Sequence, residues 1–193
     1  MKHTFGIIAL LLLNTSILMA FNKTEEQAYR VVHKEKEFEI RFYPSATLAT
    51  VNAEVHSYKE LSGFGFRKLA AYIFGGNESE TKIAMTSPVH MDINDSLSTM
   101  SFVMPSDYEL ESLPDPDNSE VKLEQTPEEY VAAIRFKGYA SDKTIKQYTE
   151  KLKQLLDAQG ITCHGNFRYL GYNPPYQIIN RRNEIIVRVD WSE

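Results

Sequence analysis

One order of elements occurs twice along this chain of 193 residues, and it constrains the fold more than any other feature. In each half, two runs typical of strands precede an amphipathic helix, and two further strand-like runs follow it. The first half ends near Met104 and the second begins near Glu120, and the halves share no obvious residue identity. A duplicated β-β-α-β-β unit predicts an α+β fold, with one antiparallel sheet system and a helix from each half packed on it.

Alternating apolar and polar residues mark the strands of both halves. In residues 37–42, for example, charged side chains separate Phe38, Ile40 and Phe42, which is the period of a half-buried strand. A loop rich in proline and acidic residues, 105–119, is interpreted as the connection between the halves. The predicted strands are residues 29–32, 37–42, 47–55, 82–93, 99–104, 120–125, 129–136, 163–172 and 184–191.

The start of the first helix rests on two opposing signals. Ser57 and Glu60 have the spacing of a capping box, in which each residue satisfies a backbone amide of the other. Gly63 and Gly65 argue against a helix there, because glycine is unfavourable in a helix interior. We therefore expect the regular helix to begin near Ser62.

Glycines mark the ends of both predicted helices, at Gly75 and Gly160, where a left-handed exit is common. Ser141 is the expected N-cap of the second helix. Its apolar stripe consists of Ile145, Tyr148, Leu152, Leu155 and Leu156. In the first half, Pro88 should confine the apolar strand around it to a sheet edge or a strand end.

Three segments resemble, in the same order, the signature of the SOUL haem-binding protein family. The central segment reads Phe66-x-x-Leu69-x-x-Tyr72-Ile73, then Gly76-Asn77, then Lys82-Ile83-x-Met85-Thr86-x-Pro88-Val89. The outer segments are Tyr29 to Tyr43, and Gly171-Tyr172-Asn173-Pro174-Pro175 followed by Arg181-Arg182-Asn183-Glu184-Ile185. Together they cover residues 29–189, nearly all of the chain after its first twenty residues.

The resemblance implies a twisted, barrel-like antiparallel sheet flanked by two helices, and non-covalent binding of haem or a related tetrapyrrole. Such a ligand needs an apolar surface for the macrocycle and cations for its propionates, whereas an axial ligand is optional. We expect a shallow groove between the first helix and the proline-rich loop near the C-terminus. The predicted binding residues are Phe64, Arg67, Lys68, Ala71, Tyr72, Tyr172, Tyr176 and Arg181.

The chain also departs from the family at positions implied to touch haem. Some members carry a histidine, proposed as the iron ligand, where this chain has Phe42, which cannot coordinate iron. Gly63, Ala71 and Gln177 stand where haem-binding relatives carry basic residues that contact the propionates. The cations that can replace them are Arg67, Lys68, Arg181 and Arg182, and the alternative interpretation of these four is solvated or packing side chains.

The first twenty residues have the layout of a secretory signal peptide. Lys2 precedes an apolar run from Phe5 to Ala20, and Ala20 is a plausible cleavage point. The run is short of the ~20 apolar residues that a membrane span needs, so cleavage is favoured over an uncleaved anchor. We expect a signal peptide at residues 1–20, a SOUL haem-binding domain at 21–193, and an exported protein in the periplasm or outside the cell.

Composition narrows the remaining function classes. A net charge of −5 disfavours nucleic acid and anionic membranes as main partners. Common catalytic motifs are absent, and the adjacent Cys163 and His164 should point to opposite sides of a strand, so no catalytic residue and no metal ligand is predicted. We expect a monomeric binding protein without enzymatic activity. The alternative is a small-molecule binder or hydrolase of the same fold that does not bind haem, since catalytic carboxylates carry no local signature.

Overall fold

The computed structural model describes residues 24–192, so the predicted signal peptide lies outside the described part. The strands in this part are β1 (Arg30–Lys34), β2 (Glu39–Tyr43), β3 (Ala46–Ala53), β4 (Val89–Asp92), β5 (Ser98–Val103), β6 (Val121–Thr126), β7 (Glu129–Phe136), β8 (Cys163–Gly171) and β9 (Asn183–Val189). The helices are α1 (Tyr58–Ile73) and α2 (Asp142–Ala158), and a 3₁₀ turn spans Leu110–Ser112. No helix among these residues is both long and apolar enough to cross a bilayer.

All nine strands join one antiparallel sheet in the order β1-β2-β7-β9-β8-β4-β5-β3-β6. Apart from β1, the remaining eight strands are symmetric about the middle of the sheet. Each strand of the first half, β2 to β5, has its counterpart of the second half, β6 to β9, at the same distance from the opposite end of this eight-strand order. The predicted duplication is therefore confirmed, with β1 as an extra strand. Each half also lends its first strand to the other, because β2 pairs with β7 and β6 pairs with β3. Within residues 24–192 the sheet ends at β1 and β6 and does not close into a barrel.

Both helices pack on the same face of the sheet, which we call the first face. Helix α1 lies on β3 and β5, and α2 lies on β7 and β9, which are the corresponding strands of the second half. The main core fills this interface with residues from both helices and most strands, such as Leu69, Leu152, Ile134 and Ile185. Burial of this apolar layer is the main source of stability of the fold.

The opposite face, called the second face, carries a smaller cluster. Along β7, Val131 and Ala133 belong to this cluster, whereas the alternate residues face the helices. Ile186 of β9 lies on the second face and Ile185 on the first, so the predicted alternation of β9 is confirmed. Charged side chains on β2, β8 and β9 share the second face with this cluster, and these charges position the candidate site.

The predicted start of α1 near Ser62 was wrong, because the helix begins at Tyr58 with Ser57 as its N-cap. The Ser57 side chain accepts the amide of Glu60 and donates to its carboxylate, which is enough to begin the helix earlier. Gly65 is present because of packing, since a Cβ there would lie 2.9 Å from Cβ of Met100 on β5. The glycine lets the helix approach the sheet closely.

The predicted strand 82–93 was also too long, because only Val89–Asp92 joins the sheet. Ser87 instead exchanges backbone hydrogen bonds with the segment before β1, accepting from Gln27 and donating to Glu25. Pro88 follows it and has no amide to offer, so the ladder starts one residue later. The prediction that Pro88 marks a strand end is confirmed.

The other helix boundaries agree with the sequence. Ser141 forms a capping box with Thr144 at the start of α2, and Gly160 follows its end with a φ of 66°. Gly75 follows α1 with a φ of 111°, a conformation that costs glycine little.

Candidate functional site: an apolar loop held by a buried charge network

The connection between β8 and β9 exposes several large apolar side chains to solvent. Tyr176, Ile178 and Ile179 leave 83%, 72% and 73% of their surface in solvent, and nearby Tyr139 leaves 55%. We call these four residues the loop patch. Large apolar side chains exposed together are typical of a surface that contacts a ligand or partner.

Arg181 fixes the shape of the loop from beneath. Its Nη1 donates to the carbonyls of Pro174 and Gln177 at 2.8 Å each, and its Nη2 donates to the carbonyl of Asn173 at 3.4 Å. The guanidinium also lies over the ring of Tyr139, 4.6 Å from its centroid. Arg181 is buried and its Nε has no hydrogen-bond partner among the described residues. Its polar atoms are thus turned inward, toward the loop.

Both ends of the loop are tied to one buried carboxylate, that of Glu184. Tyr172 donates from its hydroxyl to Oε2 at 2.9 Å, and Arg182 donates from Nε to Oε1 at 3.0 Å. Arg41 of β2 contacts both carboxylate oxygens, at 2.7 and 3.2 Å, and Arg135 adds a contact at 3.2 Å. Glu184 is fully buried, so all its acceptor positions are satisfied by protein groups.

The network perturbs the ionisation of its members. Burial alone would raise the pKa of Glu184, but the hydrogen bond and charge of Arg41, with Arg182 and Tyr172, lower it to about 2. Burial, and then the nearby charge of Glu184, raise the pKa of Tyr172 well above its ordinary value. The carboxylate is therefore ionised and the phenol neutral at neutral pH.

The segment before β1 closes over this network. Glu26 forms an ion pair with Nη1 of Arg182 at 2.9 Å, and the hydroxyl of Tyr29 accepts from Nη2 at 3.1 Å. The Tyr29 ring lies 4.2 Å from the Arg41 guanidinium. Residues just after the predicted signal peptide thus contact the same arginine that holds the end of the loop.

The predicted residues of α1 have mixed environments. Tyr72 is buried and donates to the carbonyl of Pro114, so it belongs to the core. Lys68 pairs with Glu120 at 2.5 Å and lies over the ring of Phe64, 3.6 Å from its centroid. Arg67 and Ala71 are exposed, and Nε of Arg67 donates a hydrogen bond to the carbonyl of Gly63, four residues earlier in α1.

The structure brings Tyr172, Tyr176 and Arg181 together in one loop. It does not join them to the α1 residues by any hydrogen bond, ion pair or ring contact among residues 24–192. Tyr172 points to the second face, whereas α1 covers the first. These contacts do not form a single groove between Tyr172 and α1. That the predicted residues bind a ligand stays a prediction.

Sequence reasoning missed Glu184 and Tyr139. Glu184 follows Asn183 at the start of β9, and a polar pair at a strand end is equally typical of a surface carboxylate. Its burial is favourable chiefly because of Arg41, which lies 143 residues away in sequence. Tyr139 precedes α2 in a short polar stretch, and no local pattern links it to Arg181.

The position of Phe42 lies far from the loop patch. Phe42 lines an open cleft of about 490 Å³ with Tyr130 and Trp191, beyond the C-terminal end of β9. The loop patch lies before the N-terminal end of the same strand, and seven extended residues separate the two places by about 20 Å.

Comparison with known proteins gives the family. The SOUL heme-binding protein family model matches residues 24–188. Human heme-binding protein 2 is 31% identical over 156 residues, which cover 77% of this chain and 76% of that protein. Heme-binding protein 1 of Xenopus laevis is 28% identical over 156 residues, covering 77% and 81%. The chain belongs to the SOUL haem-binding protein family.

Solved structures agree on the fold alone. The C-terminal domain of EcmrR superposes with a TM-score of 0.62 at 8% identity, covering 85% of this chain and 99% of that one. A structure described as a hydrolase from Listeria innocua gives a TM-score of 0.57 at 14% identity, covering 82% and 94%. At such low identity these likenesses carry no function.

Proposed function

We propose that this protein binds haem or a related tetrapyrrole without a covalent link, with the macrocycle resting on the loop patch. Family membership supports the ligand class, since the relatives above are heme-binding proteins. The exposure of Tyr176, Ile178 and Ile179 on a loop with a fixed backbone carries the proposal. A flat apolar ligand covers such side chains at little conformational cost, because the loop is already ordered.

The residues of the patch fit the macrocycle better than they fit the iron. The four side chains offer aromatic and branched aliphatic surface, and complete burial of an isoleucine stabilises by roughly 1.5–3 kcal/mol. None of them is a histidine, cysteine or methionine, so the patch offers the iron no axial ligand of these three types. Haem would supply an iron centre for redox or ligand chemistry, and the protein residues would bind and orient the ring.

The propionates need a cation beside the patch. Arg181 was predicted for this task, but its guanidinium nitrogens already serve three loop carbonyls. Lys137 is exposed, lies two residues before Tyr139, and has no hydrogen bond or ion pair in the described part of the chain. We assign the propionate contact to Lys137, with Arg181 as the residue that positions the loop. The predicted contribution of Arg67 on α1 to propionate binding can be measured by haem titration.

We also propose that residues 1–20 act as a signal peptide and that the protein acts in the periplasm or outside the cell. The support is the apolar run before Ala20 and the charged residues that resume at Lys23. N-terminal sequencing of the protein from its native cells tests this, and a mature chain that still carries Lys2 would contradict it.

The second candidate, a small-molecule binder or hydrolase without haem, has one observation in its favour. The implied iron-ligand position is Phe42, so no histidine from β2 is available to iron. Haem binding at the patch does not need that ligand, and for this reason we prefer the first candidate.

A pair of charge insertions tests the proposal. In the double variant Ile178→Asp/Ile179→Asp, two carboxylates repel the propionates and remove apolar contact, so haem affinity should fall at least tenfold. The matched control is Leu97→Asp, which places one carboxylate on an apolar residue 43% exposed in the β4–β5 turn. The control should bind haem as the wild type does. Equal affinities for the double variant and the wild type, with unchanged circular dichroism, would refute the patch as the site.

A further inference from the structure

Tyr176, in the connection between β8 and β9, holds a phenol that the fold does not use. It is 83% exposed, the highest fraction among the exposed large apolar residues of the described chain. Its hydroxyl makes no hydrogen bond, and its ring makes no aromatic or cation–π contact, with any residue of 24–192. The nearby hydroxyl of Tyr172, in contrast, is bound to Glu184. Tyr176 is therefore the phenol of the loop most available to a ligand.

The turn that carries Tyr176 has a fixed backbone. Pro174 and Pro175 restrict the chain just before it, and the amide of Gln177 donates to the carbonyl of Pro174 at 3.1 Å. Nη1 of Arg181 holds the carbonyls of Pro174 and Gln177, which lie on both sides of Tyr176 in sequence. Only the side-chain torsions of Tyr176 are left to adjust, so a bond to its hydroxyl orders little of the protein.

Arg181, beneath this turn, has no carboxylate partner among residues 24–192. Its contacts are three loop carbonyls and the ring of Tyr139. The residue is buried, and a buried positive charge without a counter-ion is unfavourable. An anionic ligand group bound at the turn would offset part of that cost.

The iron of a haem on the loop patch has few donor types nearby. Residues 137–141 and 172–183, which carry the patch, contain no histidine, cysteine or methionine. The histidines of the described chain each contact a residue outside the patch, and they are His33, His56, His90 and His164. Tyrosine is the side-chain type within the patch that ligates haem iron in proteins.

The patch contains two tyrosines, and their surroundings differ. The ring of Tyr139 lies against the guanidinium of Arg181, so a Tyr139 that turned toward iron would lose this contact. Tyr176 has no such contact to lose. It also lies two and three residues before Ile178 and Ile179, so one face of a macrocycle can meet the phenol and both isoleucines.

We propose that the hydroxyl of Tyr176 is the axial ligand of ferric haem on the loop patch, an inference that rests on the proposed function. The phenolic O–H bond breaks, the proton passes to solvent water, and the oxygen bonds to iron(III) with no change in oxidation state. A ferric porphyrin core carries a positive charge that the phenolate neutralises, whereas a ferrous core is neutral. The protein is thus selective for oxidised haem.

Spectra of the haem complex test the ligand directly. Ferric haem bound to the full chain should give a phenolate-to-iron charge-transfer band at the red end of the visible spectrum. Resonance Raman excitation within that band should enhance tyrosine ring modes, and these should shift when the protein is labelled with ring-deuterated tyrosine. Absence of the band, or ring modes that do not shift, would overturn the proposal.

Tyr176→Phe keeps the ring and removes the hydroxyl. It should lose the band and bind ferric haem about tenfold more weakly, yet bind ferrous haem as the wild type does. Tyr108→Phe is the matched control, since it removes a half-buried phenol from the loop 105–119, and it should match the wild type. A band that survives in Tyr176→Phe, or that is lost in Tyr139→Phe instead, would contradict the assignment. Equal losses of affinity for ferric and ferrous haem would indicate lost packing and would also contradict it.

Metal-free protoporphyrin separates this inference from the proposed function. It has the macrocycle and propionates of haem but no iron, so the wild type and Tyr176→Phe should bind it equally. Ile178→Asp/Ile179→Asp should bind it more weakly than either. If this pattern holds while the charge-transfer band is absent, the ligation alone is refuted. If the wild type does not bind protoporphyrin, the loop patch is refuted, and the ligation with it.

Discussion

Arg41 and Glu184 form a two-point ion pair across the second face of the sheet, although 143 residues separate them in sequence. The strand between them is β7, and its small Ala133 leaves room for the contact. Both side chains are almost completely buried. Because Glu184 also holds Tyr172 and Arg182, this one pair connects the core of the sheet to the loop that carries the candidate site.

The first prediction concerns the free energy of unfolding. Glu184→Ala removes one of the two carboxylates that pair with the buried Arg41, the other being that of the half-buried Glu39. Breaking a buried pair costs about 3–5 kcal/mol. The control is Lys151→Ala, which breaks the exposed Lys151–Glu37 pair and should cost less than about 1 kcal/mol. Urea denaturation measures both. A Glu184→Ala cost as small as that of the control would contradict the assigned role.

The second prediction is acid sensitivity. The pKa of Glu184 is lowered to about 2 in the folded state, from an ordinary value of 4.5. Its contribution to stability is therefore fully present above pH 4.5 and is lost as the pH falls toward 2, where the folded state takes up the proton. Unfolding free energies measured across this window should fall more steeply for the wild type than for Glu184→Gln. Parallel curves would contradict the low pKa.

The third prediction uses two glycines of α1. Gly65→Ala places a Cβ 2.9 Å from Cβ of Met100, so it should destabilise by about 1–3 kcal/mol through overpacking. Gly63→Ala meets no atom within 4 Å, so it should stabilise by about 0.5–1 kcal/mol through better helix propensity. Thermal melts of the pair check this, and the same sign for both would show that close packing of α1 on β5 is not what requires Gly65.

The fourth prediction concerns His90. Its Nε2 lies 2.8 Å from Oε1 of Gln27, which is in the segment before β1. Burial, with a smaller contribution from Arg168, lowers the pKa of His90 from 6.5 to about 3. The ring should stay neutral at pH 5. The free energy of unfolding should fall as the pH drops from 6.5 toward 3, because the unfolded chain takes up a proton there that the folded ring does not. NMR titration of the histidine ring protons measures this, and a midpoint near 6.5 would mean that the segment leaves the ring open to solvent.

Much of the fold followed from local patterns, because alternation and capping are properties of neighbouring residues. The α1 start was misplaced because the reason for Gly65 is Met100, a contact between distant segments. The predicted strand 82–93 was too long because Ser87 pairs with the segment before β1, and no pattern near Ser87 indicates that partner.

For the candidate site, the sequence predicted the loop but not the contacts that support it. The loop itself was found from its two prolines and the flanking Tyr172 and Tyr176. Its support was not, because Glu184 resembles any strand carboxylate until Arg41 is placed beside it. The inward turn of Arg181 likewise depends on three carbonyls whose positions only the folded loop defines.

The most direct test of the account is to map haem on the protein by NMR. Ferric haem is paramagnetic and broadens the signals of nearby nuclei. Titration into isotope-labelled full-length protein should show saturable binding, with the strongest broadening at residues 174–179 and Tyr139. Signals of Phe42 and Trp191, about 20 Å along β9 from the loop, should be the less affected set. Broadening centred on Phe42 or on the exposed side of α1, or no broadening at all, would contradict the proposed site.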